Sequence, residues 1–140
     1  MLRTILLLCA AIAFFACKKS RQPQPQQPSD VLQGTWTGRY GYSYGNELGD
    51  TVFAGYLGHF KMEFFQNGKL IVHDLGASQS MKANGTYIRN GKKLYARYKY
   101  EQGTDNLFSF HATFEKDDSL AGKWFIGYDG PTGGEFFVKR

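Results

Sequence analysis

Cysteine, proline and histidine are scarce in this chain, with two, four and three among 140 residues. Both cysteines, Cys9 and Cys17, fall within the first 17 positions. Residues 31–140 therefore hold no thiol, no disulfide can brace them, and packing must supply their stability. Proline is just as localised: Pro23, Pro25 and Pro28 cluster together, and only Pro131 lies in 31–140. His59, His73 and His111 lack the His-x-x-x-His spacing that sets two imidazoles on one helix face for a metal. His73 adjoins Asp74, yet no serine or cysteine stands beside the pair in a nucleophile motif. Asp117-Asp118 reads as a turn, and Gly133-Gly134 precedes no helix that would cradle a phosphate. No catalytic residue, metal or cofactor is expected, and the chain is read as a non-enzyme.

A basic excess is present but misleading. The net charge is +5, from 17 basic and 12 acidic residues. Setting aside Arg3, Lys18, Lys19, Arg21 and Asp30 leaves 13 basic and 11 acidic residues in 31–140, a net +2. A nucleic-acid partner requires a basic patch on the folded part, so none is expected.

The N-terminus has one positive charge, Arg3, ahead of an apolar run from Ile5 to Ala16. That run is too short to span a bilayer and has the form of a secretory signal. Phe14-Phe15-Ala16-Cys17 resembles the bacterial lipoprotein signal, with Ala16 fitting the consensus and Phe14 standing where leucine is usual. The resemblance implies a signal peptide over 1–16, removed ahead of Cys17, whose sulfur is then acylated as by palmitate. Simple secretion, with Ala11-Ile12-Ala13 as the cleavage site, is the alternative. Residues 17–30 read CKKSRQPQPQQPSD, with no apolar residue after Cys17 and three prolines. Such a segment cannot bury surface to offset its ordering entropy, so it reads as a disordered, extended tether. Lys18 directly after the cysteine agrees with delivery to the outer membrane, lipid-anchored and facing the periplasm.

Residues 31–140 suit one domain with one core. Apolar residues recur at every second position, with β-branched and aromatic types dominant, which argues for strands. Strands are expected at 34–44, 58–66, 69–74, 80–89, 92–101, 106–116, 120–128 and 134–139, with a short addition near 51–54. Asn67-Gly68 and Asn90-Gly91 are two-residue hairpin signals in which both central residues take positive φ. Asn84-Gly85 is read as strand with a glycine bulge. Eight sequential strands with short connections predict an all-β, eight-stranded antiparallel up-and-down barrel; a two-sheet sandwich is the competitor. One face is apolar: Trp36 and Tyr40, Leu70 and Val72, Tyr98, Phe110, Trp124, Phe136 and Val138 all fall on it.

Gly34-Thr35-Trp36 on the first strand resembles the Gly-x-Trp signature of lipocalins and the wider calycin group. Asn67 to Leu70, Gly85-Thr86-Tyr87 and Gly122-Lys123-Trp124 are similar to the avidin branch and to small lipocalin-like lipoproteins of the Bacteroidetes type. In such barrels the Trp closes one end beneath a basic residue near the last strand. Lys139 and Arg140 both lie suitably, alternation alone not choosing between them, and Arg140 is assigned with Trp36 as the closing pair. Gly38, Arg39 and Tyr42 stand where avidins place polar contacts, so biotin binding is not implied. The resemblance implies a small apolar ligand inside, with Trp36, Tyr98, Phe110 and Trp124 as its lining. Alternatives are a protein-binding module, such as a periplasmic protease inhibitor using the exposed segment 41–46, or a structural envelope component with a solid core.

Overall fold

A computed structural model describes residues 30–76, 80–103 and 105–140. Residues 1–29, with the signal, Cys17 and nearly all of the tether, lie outside the described residues. A single 3-10 turn, Asp30–Leu32, leads into nine strands: β1 (Gly34–Gly45), β2 (Thr51–Phe53), β3 (Gly58–Phe64), β4 (Lys69–Leu75) and β5 (Ser80–Asn90), then β6 (Lys93–Tyr100), β7 (Leu107–Lys116), β8 (Ser119–Ile126) and β9 (Gly133–Lys139). Eight of them form a closed antiparallel barrel in the order β1-β3-β4-β5-β6-β7-β8-β9, with β9 returning to β1. The seam runs from Thr37↔Lys139 to Ser43↔Gly133, which excludes the two-sheet sandwich. β2 is the short addition near 51–54 and pairs with the far end of β1, Ser43↔Phe53 to Gly45↔Thr51.

Closure depends on two glycines at the seam. A Cβ on Gly38 would lie 1.8 Å from the Phe137 carbonyl oxygen, and one on Gly134 would lie 1.8 Å from that of Gly41. Only hydrogen fits there, so β1 and β9 can cross at close range.

Three local expectations are corrected. The hairpin turns form where expected, but only Gly68 (φ 78°) and Gly91 (φ 59°) take positive φ, and their asparagines do not. The β5–β6 hairpin centres on Gly91-Lys92, because Asn90 pairs with Lys93. Gly85 is not a bulge: it stays in continuous register with Leu70 and Tyr98. Its missing Cβ instead makes room for the Tyr98 backbone and Cβ, both within 3 Å of where that atom would sit. A register shift does occur between Phe114 and Lys116, opposite β8.

Alternation then fills the middle. Trp36, Met62, Leu70, Val72, Leu94, Phe110, Leu120 and Val138 are completely buried. Each large apolar side chain so placed contributes roughly 1.5–3 kcal/mol. The centre and one end of the barrel are solid.

Candidate functional site

That solid end is closed by the chain entering it. Leu32 is buried, and the Trp36 indole Nε1 donates to the Leu32 carbonyl at 3.0 Å. The Arg140 guanidinium donates to the carbonyls of Val31 (3.2 Å) and Gln33, and lies 6.0 Å from the Trp36 ring centroid. Lys139 is exposed on the outer face.

At the opposite end the alternation brings in aromatic rings, but among the described residues no core side chain fills the space between them. A cavity of about 100 Å³ lies there. Tyr40 and Tyr42 of β1 and Phe60 of β3 form one wall; Tyr98 and Tyr100 of β6, Phe108 of β7 and Trp124 of β8 form the other. Met81 of β5 and Asp74 of β4 complete it. Tyr40 stacks on Phe60 at 4.2 Å between centroids, and Tyr98 on Phe108 at 5.6 Å. Tyr42, 47% exposed, sets its edge against Trp124 at 5.1 Å and forms the outer lip. The Trp124 indole Nε1 donates to the Gly41 carbonyl at 3.0 Å, which fixes the ring across the seam.

Asp74 is the anomaly. It occupies the next inward position after Leu70 and Val72 and is only 9% exposed. The Tyr40 hydroxyl donates to both carboxylate oxygens, at 2.8 and 2.9 Å. Burial pushes the Asp74 carboxyl above the usual range, and the Tyr40 hydrogen bond opposes this in part. Tyr40 rises through burial first and the Asp74 bond second; Tyr98 and Tyr100 rise chiefly through burial. All three hydroxyls stay neutral across the physiological range.

The four expected lining residues thus separate. Tyr98 and Trp124 face the cavity, whereas Trp36 and Phe110 are completely buried and do not line it. Segment 41–46 is not a free loop, since Tyr42 to Gly45 belong to β1 and Tyr42 turns inward. Sequence reasoning missed Asp74, which it coupled to His73, although the two face opposite sides. His73 points outward to Glu63 at 3.1 Å, and His111 pairs with Asp129 at 2.8 Å. A charge on the apolar phase of β4 was the available signal.

A larger hollow of about 370 Å³ lies on the outer wall, beside Arg97, His111 and Tyr128. Its polar groups satisfy one another: His111 pairs with Asp129, Arg97 lies 4.2 Å over Tyr128, and the Ser109 hydroxyl donates to the Gly127 carbonyl. The mouth cavity is the better site because its carboxylate has no such ionic partner among the described residues.

No family model and no curated protein matches this chain. Solved structures do. A redesigned β-barrel, b11L5F_LGL, is 14% identical with a TM-score of 0.54, covering 79% of this chain and 91% of its own. EF1p2_mFAP2b bound to DFHBI is 11% identical with a TM-score of 0.56, covering 84% of this chain and 99% of its own. At such identities the likeness establishes the barrel fold and leaves function to the residues.

Proposed function

We propose that this protein is a non-enzymatic envelope lipoprotein, anchored through acylated Cys17, whose barrel binds a small ligand at its mouth. The observation that carries the reading is the aromatic-walled cavity of about 100 Å³ above a solid core. Ligand sites of drug size run to roughly 300–1,000 Å³, and a dry cavity of about 150 Å³ accepts benzene. This mouth therefore suits a compact group of a few heavy atoms, with any longer tail leading out past Tyr42. A neighbouring barrel fold is bound to DFHBI, which supports the architecture as a ligand holder. The chain enters at the closed end, so a tether from Cys17 would leave the mouth directed away from the membrane.

Native mass spectrometry of the full chain, released from detergent, is expected to show a retained small molecule that Met81→Trp excludes by filling the cavity. A ligand-free mass, with no small molecule raising the melting temperature, would defeat the reading. For the anchor, Cys17→Ser should move the protein from the membrane to the soluble fraction; unchanged fractionation would reject it. A protein partner is the second reading, favoured by Tyr44, Leu48 and Leu57, which stand exposed around the same rim.

A further inference from the structure

We infer that the mouth cavity receives a cationic amine, its ammonium group seated against Asp74 and enclosed by the faces of the surrounding aromatic rings. This rests on the ligand-binding reading above and names the chemical class of the ligand. A carboxylate taken out of water is costly unless it is paired. Asp74 has, among the described residues, only the Tyr40 hydroxyl, a neutral partner. Among the described residues no lysine, arginine or histidine lines the cavity or pairs with Asp74. The elements packed around it offer Tyr40 and Tyr42 from β1 and Tyr98 and Tyr100 from β6; β3, β5, β7 and β8 contribute Phe60, Met81, Phe108 and Trp124. One acid within a neutral aromatic enclosure attracts a cation twice, through its charge and through the ring faces.

The rim adds a smaller contribution. The described connecting residues at the mouth, 46–57, 76, 101–103, 105–106 and 127–132, contain Glu47, Asp50, Glu101, Asp105 and Asp129 and no lysine, arginine or histidine. Lys82, Lys99 and His111, reaching from the outer faces of strands, meet Glu101, Asp105 and Asp129. Glu47 and Asp50 belong to no ion pair among the described residues. Arg39 and Arg97 also reach these connections, at the Tyr56 carbonyl and over the Tyr128 ring, so among the described residues Glu47 and Asp50 are the acids left to favour a cation at the entrance. A neutral apolar ligand would leave Asp74 uncompensated.

The test compares isosteres on the full chain in detergent. Choline and n-butylammonium are titrated beside neutral 3,3-dimethylbutan-1-ol and n-butanol, following the fluorescence of Trp124 in a Trp36→Phe background and, separately, the heat of binding. The expected result is at least tenfold tighter binding of the cations, falling to the level of the alcohols in Asp74→Asn. Cation affinity should also weaken on acidification as Asp74 takes up a proton. Alcohols binding as tightly as the ammonium ions to the unaltered protein would overturn the amine while leaving a ligand pocket in place. Failure of both classes to bind would overturn the amine and count against the pocket itself.

Discussion

Two tryptophans mark the two ends of the barrel, and their surroundings differ in kind. At the closed end the Trp36 indole bonds to a carbonyl four residues earlier, beneath Arg140, with Phe64 and Phe114 edge-on at 6.3 and 6.0 Å. At the open end the Trp124 indole bonds across 83 residues to Gly41, and its neighbours Tyr40 and Tyr42 leave space beside them. The first arrangement closes a core; the second holds a wall in position. Aromatic residues alone therefore do not specify a binding site. What separates the ends is whether apolar volume is completed, and where a charge has replaced it.

The contrast is broken most severely by Trp36→Ala, which should cost about 3–5 kcal/mol by opening a cavity in a closed core. Chemical denaturation would measure it, and a loss under about 1 kcal/mol would show that the end is not packed as described. Gly134→Val should come next, at about 1–3 kcal/mol or more, because its side chain must displace the Gly41 carbonyl and spread the seam. Arg140→Ala should cost about 1 kcal/mol, from bonds to two exposed carbonyls and a distant ring contact.

Asp74→Asn should go the other way. The folded carboxyl binds its proton more tightly than the unfolded one, so this group favours folding when protonated. That contribution is complete below the unfolded pKa and disappears as pH rises through the raised folded value. At pH 7 the unaltered protein bears the cost of a buried charge. Asparagine keeps an acceptor for Tyr40 without it, so the melting temperature at pH 7 should hold or rise. Plotted against pH, the variant should lack the gain that the unaltered protein shows on mild acidification. Glu63 works in the opposite sense: Lys61 first, and His73 after it, hold its carboxyl low, so its support is lost as pH falls through that lowered value. Tyr42→Ala should have the smallest effect on stability, about 1 kcal/mol or less, since the side chain is half exposed.

The strands and their closure were legible because alternation reports which face of a strand is buried. Asn67-Gly68 and Asn90-Gly91 placed two turns, although the glycines alone supply the positive φ. The β7 irregularity near Glu115 left no mark, since a polar residue at an exposed bulge disturbs no pattern. The site was legible only in part, for a geometric reason. Period two tells inside from outside but not depth along the barrel axis. Phe110 therefore looked equivalent to Tyr98 and Trp124, Trp36 was read both as lining and as the closing residue, and the strand registers separate mouth from base. Asp74 was masked by its neighbour: His73-Asp74 suggests a polar pair to the eye, while the strand turns the two side chains apart.

The chain has two tryptophans, so its indole N–H groups give two resonances, one for each end of the barrel. Titrating n-butylammonium into the full-length protein and following those two signals tests the division directly. A saturable shift of the Trp124 resonance is expected while that of Trp36 stays fixed. Movement of Trp36 alone, equal movement of both, or no movement of either at saturating amine would contradict it.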